Sequence, residues 1–210
     1  MKLVKLVLVF SVLLCSATQS SSSVIPTEKV VVILGLRTSV NPITEEVKEH
    51  RYSCSGSFIS NDGILLTAKH CTERSSELVV VLSNGQRYTA TVLNTSPTHD
   101  LATIRIDKQD TPHFTIAKHS AQGETIYTLG APFGIERVLT RGIIAKLDGD
   151  VTFYDLTICP GSSGGAIYNE KDELVGVSTA VTIVGMGITG LSLGPSLDAI
   201  IIFLKTQPTE

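Results

Sequence analysis

Short runs of β-forming residues separated by glycine turns are the feature that most restricts the fold of this chain. The clearest case is "ELVVVLSNGQRYTATVL" (residues 77–93), in which two runs rich in Val and Thr flank Asn84-Gly85. An Asn-Gly pair supplies the positive φ angles of a tight hairpin. About a dozen such runs, with turns roughly every 8–12 residues, predict an all-β sandwich or barrel.

Helical spacing of apolar residues is clear only near the C-terminus, in "PSLDAIIIFLK" (residues 195–205). Ser196 can cap this segment and Asp198 lies in its first turn, so it predicts one short helix. The polar segment "TPHFTIAKHSAQ" (residues 111–122) divides the strands into halves. We therefore predict four regions, which are a signal peptide (1–20), two β-barrels (21–114 and 115–195), and a C-terminal helix and tail (196–210).

The first residues have the layout of a secretory signal peptide. Lys2 and Lys5 precede an apolar run from Leu6 to Leu14, which is followed by small and polar residues. The run is well short of the ~20 residues that span a bilayer. The prediction is a secreted or periplasmic protein without stable membrane association after signal removal. The alternatives are a retained anchor, a buried N-terminal strand, or lipidation at Cys15.

The net charge and the cysteine spacing argue against nucleic acid, metal ions and cofactors as ligands. The formal net charge is −3 without a basic cluster, so we expect no nucleic-acid partner. There are four cysteines, at 15, 54, 71 and 159. If Cys15 leaves with the signal, three remain, which permits one disulfide and one free thiol in an oxidising compartment. Their spacing matches no compact zinc pattern, and we expect neither a metal nor a cofactor.

The stretch "CPGSSGGAIY" (residues 159–168) places two adjacent serines between glycines. A serine hydroxyl becomes a good nucleophile only with a histidine base in reach and an acid that orients the histidine. His70 closes "LLTAKHC" and Asp100 opens "DLATIRI", each at a junction of strand and loop where side chains commonly face a cleft. Taken singly, each of these residues is more often structural.

The three contexts together resemble the signatures of chymotrypsin-like (trypsin-fold) serine proteases, in that family's order of His, Asp and Ser. They are "CSGSFISNDGILLTAKHC", "HDLATIRI" and "PGSSGGAI". "YDLTICPGSSGGAI" is most similar to the high-temperature-requirement (Deg-type) branch, and the resemblance covers roughly residues 53–196. It implies two antiparallel six-stranded β-barrels with a catalytic cleft between them. A serine esterase of another fold would instead have its histidine last in the chain.

The resemblance assigns roles residue by residue. His70 is implied to be the general base, Asp100 its orienting acid, and Ser163 the nucleophile, since Ser163 precedes Gly164-Gly165. The backbone N–H groups of Gly161 and Ser163 are implied to form the oxyanion hole. The resemblance also implies a disulfide between Cys54 and Cys71, and it leaves Cys159 as a buried thiol in the wall of the substrate pocket.

At a few positions the chain differs from better-known members of the family it resembles, and these differences predict its mode of activation and its substrate preference. Ser162 stands where the trypsin-like branch has the Asp that pairs with a new N-terminus, so we expect no zymogen cleavage. Thr157 at the pocket base is neutral and argues against preference for Arg or Lys, and Ser178 argues against acidic specificity. Thr179 and Ala180 complete the predicted substrate-binding wall.

The predicted function is secreted serine endopeptidase activity on polypeptides through an acyl-enzyme. The alternative is a catalytically silent peptide-binding pseudo-protease on the same scaffold. Deg-type proteins usually carry a C-terminal peptide-binding (PDZ) domain, which we expect to be missing here. The oligomeric state is not predicted.

Overall fold

A computed structural model of the protein describes most of the chain after the predicted signal peptide. The signal peptide lies outside the described residues, as do Pro132 and Gly134 of the predicted loop "GAPFG". The described residues are 25–40, 42–73, 75–131, 138–184 and 187–206.

The first half is a closed barrel of six strands in the order β1-β2-β3-β6-β5-β4. Every neighbouring pair is antiparallel. The barrel encloses an apolar core because Ile33, Leu65 and Val80 project inward and are fully buried. Its strands are β1 (Val30–Val40), β2 (Val47–Phe58), β3 (Ile64–Thr67), β4 (Glu77–Val81), β5 (Arg87–Thr95) and β6 (Ala102–Ile106).

The hairpin predicted around Asn84-Gly85 connects β4 to β5 in this barrel. Gly85 has a φ of +83°, a left-handed angle that glycine adopts without steric penalty. The Asn84 side chain accepts a hydrogen bond from the Gln86 N–H at 3.0 Å. The local sequence therefore sets this turn.

Among its described residues, the second half forms an eight-stranded sheet in the order β13-β14-β10-β9-β8-β11-β12-β7. All pairs are antiparallel except β12 with β7. Its strands are β7 (Thr115–Ile116), β8 (Thr125–Gly130), β9 (Val138–Asp148), β10 (Val151–Asp155), β11 (Ala166–Asn169), β12 (Glu173–Val177), β13 (Ala180–Val184) and β14 (Gly187–Pro195).

The prediction of an all-β chain in two units with one short helix is confirmed for the described residues. The second unit, predicted as a six-stranded antiparallel barrel, is an eight-stranded sheet with one parallel pair. Strand β7 has only two residues and comes from the polar segment that divides the halves. It joins the sheet because a neighbour pairs with it, through the Ala117 N–H and the Leu174 carbonyl at 2.9 Å. Such tertiary pairing leaves no periodic pattern in the sequence.

The C-terminal helix α1 (Leu197–Lys205) begins at the predicted cap. The Ser196 hydroxyl accepts a hydrogen bond from the Ala199 N–H at 3.2 Å, which satisfies a donor of the first turn. Over the part of the chain that the structure describes, no helix combines the length and apolarity that a membrane crossing requires.

An apolar cluster shared by the two halves joins them. Leu66, Leu101 and Phe114 come from the first half and Leu129 from the second, and each is at most 1% exposed. Ile200 of α1 packs into the same cluster. At one side Lys29, just before β1, pairs with Asp172 of the second half and lies 5.0 Å from the Phe114 ring centroid. We call this group the shared cluster.

Candidate active site

His70 and Asp100 meet at one end of the first barrel. His70 lies in a short 3-10 helix (Lys69–Cys71) that follows β3, and Asp100 precedes β6. Strands β3 and β6 are antiparallel neighbours with Thr67 opposite Ala102, so the end of one strand meets the start of the other. Sequence positions 30 residues apart are thereby brought into hydrogen-bond contact.

Asp100 holds His70 through two hydrogen bonds. The ring Nδ1 of His70 lies 2.6 Å from Oδ2 of Asp100, and the His70 backbone N–H donates to Oδ1 at 2.9 Å. With Nδ1 engaged, Nε2 is left for the cleft, which is the arrangement a histidine base requires. The side chains are 45% and 35% exposed, respectively, so the pair is open to a substrate.

The surroundings of Asp100 favour its ionised carboxylate over the protonated acid, which lowers its pKa. Burial is the largest single influence and acts to raise its pKa. The hydrogen bonds from the His70 ring and from the His70 and Lys69 N–H groups, with the charge of the ring, outweigh burial. Together they lower the pKa of Asp100 below its ordinary value, so the group is ionised at neutral pH.

A disulfide joins Cys54 of β2 to Cys71, the residue after His70, as predicted. Their Cα atoms are 6.1 Å apart, and both side chains are buried. The bond attaches the helix that carries His70 to the barrel wall.

The potential ligand atoms of Cys54, His70 and Cys71 lie within 4.8 Å of one another, as in a metal site. Metals bind cysteine as the thiolate, however, and these two sulfurs are joined to each other in the disulfide.

The predicted nucleophile lies in a turn built from two glycines with positive φ. The Ser162 N–H donates to the Cys159 carbonyl at 2.9 Å, and Gly161 has a φ of +101°. Pro160 followed by a left-handed glycine is the signature of a type II turn. Gly164 has a φ of +83°, and a Cβ there would overlap Thr67 Oγ1 and the Ser55 carbonyl. We call residues 159–164 the nucleophile turn.

The nucleophile turn lies against the barrel that carries His70. The Ser163 carbonyl accepts a hydrogen bond from the Ser55 N–H at 2.7 Å and lies 3.7 Å from Cys71 Sγ. The Ser55 hydroxyl donates to the Gly161 carbonyl at 2.8 Å. Sequence reasoning did not single out Ser55, because a buried serine in a strand carries no recognisable signal.

Two backbone donors of the nucleophile turn are not used within the described part of the protein. The N–H groups of Gly161 and Ser163 have no acceptor there, whereas their neighbours Ser162 and Gly164 do. No hydrogen bond joins the Ser163 hydroxyl to the His70 ring among these same residues. In free enzymes this catalytic bond is often long and tightens when substrate binds.

The predicted substrate wall is continuous with the nucleophile turn. The Gly164 N–H donates to the Ser178 carbonyl at 2.6 Å, and the Ser178 N–H donates to the Gly165 carbonyl at 3.0 Å. Ser178 is fully buried, Thr179 is half-buried and Ala180 is exposed, at the start of edge strand β13. Thr157 is exposed on the segment that leads to the turn.

Cys159 and Ser162 differ in burial within the nucleophile turn. Cys159 is a half-buried free thiol, at the start of the turn. Ser162 is 6% exposed, and its hydroxyl packs against Gly130, where a Cβ would lie 3.2 Å from Ser162 Oγ. The site therefore has one accessible hydroxyl in the turn, that of the half-buried Ser163.

The protein-family model and the relatives that match this chain are all peptidases. The model of the trypsin-like peptidase domain family matches residues 54–177, a range that contains His70, Asp100 and Ser163. The chain is 30% identical over 171 residues to a probable periplasmic serine endoprotease DegP-like of Pseudomonas putida, covering 77% of this chain and 36% of the relative. It is 32% identical over 157 residues to a protein of the same description from Chlamydia pneumoniae, covering 69% and 32%.

Solved structures agree on the fold. The HtrA-type protease AlgW with tripeptide superposes with a TM-score of 0.73 at 25% identity, covering 85% of this chain and 60% of that chain. AlgW with decapeptide gives a TM-score of 0.72 at 24% identity, covering 85% and 64%. The chain thus spans about a third of the length of the curated relatives, at 36% and 32%.

Proposed function

Because the chain belongs to the trypsin-like peptidase family, we propose that it is a serine endopeptidase that cleaves polypeptides through an acyl-enzyme. His70 is the general base, Asp100 orients it, and Ser163 is the nucleophile. The single observation that carries this proposal is the doubly hydrogen-bonded His70–Asp100 pair, with Nδ1 2.6 Å from the carboxylate, beside the nucleophile turn. Every proposed step uses groups of the chain itself.

In the first proposed step, His70 Nε2 takes the proton from the Ser163 hydroxyl as that oxygen attacks the scissile carbonyl. The carboxylate of Asp100 stabilises the imidazolium that forms. The imidazolium then gives its proton to the departing amine, which leaves an ester between Ser163 and the acyl part of the substrate. Water enters, His70 takes its proton, and the ester is hydrolysed by the reverse sequence.

The negative charge that develops on the carbonyl oxygen is proposed to lie between the N–H groups of Gly161 and Ser163. Both donors are without an acceptor among the residues described, and Gly161 is the left-handed residue of the type II turn just before Ser163. Removal of one such donor typically costs about 10²–10³ in rate.

The substrate is proposed to add as a strand along β13, with Thr179 and Ala180 providing the wall beside the nucleophile turn and Thr157 the base of the pocket. β13 is the terminal strand of its sheet, with β14 on one side. An edge strand offers free backbone groups to an extended peptide. Ser178, being fully buried, is proposed to support this wall from behind.

Activation is proposed to need no zymogen cleavage, because the neutral Ser162 is buried where an ion pair with a new N-terminus would form. The named relatives are described as periplasmic, and we propose that this chain is likewise exported, with residues 1–20 as its signal and residues 21–114 and 115–195 as its two β units. An N-terminal extension on the purified protein should accordingly leave activity intact, and abolished activity would contradict this.

A fluorophosphonate probe tests the proposal, since it labels an activated serine covalently. The wild-type protein should be labelled and should hydrolyse a denatured protein substrate, and Ser163→Ala should lose both. Ser162→Ala is the matched control, because it removes the neighbouring hydroxyl and should keep the label. Labelling that persists in Ser163→Ala would show that another residue is the nucleophile.

A peptide-binding pseudo-protease is the second candidate, since the edge of β13 suits peptide binding with or without hydrolysis. The same experiment separates the two functions. A wild-type protein that binds unfolded peptides but is neither labelled nor hydrolytic would support the binder and overturn the enzyme.

A further inference from the structure

We infer that Ser55 is a positioning residue for the oxyanion hole, holding the nucleophile turn from behind so that the N–H groups of Gly161 and Ser163 face the substrate. The inference rests on the proposed function, because it assigns a supporting residue to that same site. Ser55 itself does not contact the reacting atoms. It lies on β2 of the first half and is fully buried.

Ser55 forms hydrogen bonds through each of its polar groups. Its N–H donates to the Ser163 carbonyl at 2.7 Å, and its hydroxyl donates to the Gly161 carbonyl at 2.8 Å. The same hydroxyl accepts from the Ala131 N–H at 3.3 Å, and its carbonyl accepts from the Thr67 hydroxyl at 2.8 Å. One side chain thus connects the first barrel to two separate segments of the second half.

Along the nucleophile turn, peptide groups that are held by hydrogen bonds alternate with the peptide groups whose N–H is proposed to bind the oxyanion. The peptide between Gly161 and Ser162 is held at its carbonyl by Ser55 and at its N–H by the Cys159 carbonyl. The peptide between Ser163 and Gly164 is held at its carbonyl by Ser55 and at its N–H by the Ser178 carbonyl. The N–H groups of Gly161 and Ser163 belong to the peptides joined directly to these two, so holding the two peptides restricts the orientations open to the donors.

The hydroxyl acts at Gly161, the left-handed residue of the type II turn. Its bond to the Gly161 carbonyl holds the peptide between Gly161 and Ser162 against the first barrel. A glycine populates negative and positive φ about equally, so the chain at Gly161 has little intrinsic preference for the turn that is observed. Without the hydroxyl this peptide can move away from the barrel, and the N–H of Gly161, which is attached to the same Cα, moves with it.

Ser55→Ala removes only the hydroxyl and leaves the Gly161 carbonyl and the Ala131 N–H buried without that partner. We expect kcat to fall about 10- to 100-fold with KM changed less than about threefold, because the lost support acts on the transition state. The affinity of a peptide boronic acid, whose tetrahedral adduct uses the oxyanion hole, should fall by a similar factor. The affinity of a cleaved peptide product should stay within about twofold.

Ser57→Ala is the matched control. Ser57 lies two residues along the same strand and is equally buried, and its hydroxyl has no hydrogen-bond partner among the described residues. Its kcat should stay within about twofold of the wild type. Thermal unfolding of both variants separates a local effect from a general loss of folded protein.

Backbone amide exchange provides a readout that does not depend on catalysis. The Ser162 N–H should exchange at least about tenfold faster in Ser55→Ala than in the wild type and in Ser57→Ala, because the turn opens more often. Wild-type kcat together with wild-type Ser162 exchange in Ser55→Ala would overturn the inference. If the wild-type protein were itself inactive, the proposed function would fail, and the exchange rates alone would decide the role of Ser55.

Discussion

The two halves of the protein hold their parts of the candidate site by different means. The first half is a closed barrel in which Asp100 and the disulfide at Cys71 fix His70 within one unit. The second half is a sheet that ends at β13 and β7, and its nucleophile turn is held by hydrogen bonds from both halves, two of them from Ser55 of the first half. The proposed base is therefore held within one half, whereas the turn that carries the proposed nucleophile also depends on contacts between the halves.

The largest expected effect tests the local organisation of the base. Asp100→Asn keeps the size of the side chain but loses the charge that stabilises the imidazolium and fixes its tautomer. We expect kcat to fall about 10⁴-fold, as replacement of the corresponding acid does in serine proteases generally. Steady-state hydrolysis of a peptide substrate measures the change.

The matched control for that variant is Asp62→Asn. Asp62 is on the same barrel with a similarly exposed side chain, and it is also hydrogen-bonded, to Arg105 at 2.8 Å. Its kcat should change less than about twofold, since it lies outside the proposed machinery. Equal losses in the two variants would mean that carboxylates stabilise the barrel and that Asp100 has no special place in the reaction.

The next effect tests the packing of the nucleophile turn against the first half. Gly164→Ala introduces a Cβ at a φ of +83° that would overlap Thr67 Oγ1 and the Ser55 carbonyl. The left-handed angle costs about 1–2 kcal/mol and the overlap about 1–3 kcal/mol more, so unfolding should become about 2–5 kcal/mol easier. Urea unfolding measures the difference.

Gly85→Ala separates the two contributions. Gly85 has the same φ of +83°, but a Cβ there would meet nothing within 4 Å. This variant should lose only about 1–2 kcal/mol and keep full activity. If both variants lost the same free energy, the contact between the turn and the first barrel would have no energetic consequence.

The smallest of the three main effects is expected when the Cys54–Cys71 disulfide of the first half is removed. The double variant Cys54→Ala/Cys71→Ala removes a bond with a sequence separation of 17 residues, which is worth about 3 kcal/mol by chain-entropy arguments. The midpoint of thermal unfolding should fall accordingly, and kcat should fall less than in Asp100→Asn, because the carboxylate still holds the ring.

Cys159→Ala is the control for the loss of a cysteine, since it removes the half-buried free thiol and leaves the disulfide intact. Its free energy of unfolding should stay within about 1 kcal/mol of the wild-type value.

The parts of the molecule that local chemistry determines were predictable from the sequence. Asn84-Gly85 requires a hairpin, and Ser196 caps the helix as its position in the sequence indicates. The Cys54–Cys71 disulfide followed from the resemblance and is confirmed. The assignment of His70, Asp100 and Ser163 to catalysis followed in the same way and stays a prediction until the variants are measured.

The parts that depend on packing between distant segments were not predictable. Strand β7 forms because β12 lies beside it, and its two residues carry no pattern of their own. Ser55 was overlooked because its partners, Gly161 and Ala131, are 106 and 76 residues away in the chain.

The shared cluster has a consequence for how the protein can be taken apart. Leu66 and Leu101 bury themselves against Phe114 and Leu129, and Ile200 of the final helix joins them. A cut between the barrel and the sheet would leave each fragment with an uncovered apolar face, so neither is expected to be a soluble module in isolation. Loss of the helix would open the same face, so helix α1 is expected to be needed for the two halves to pack and for the candidate site to assemble between them.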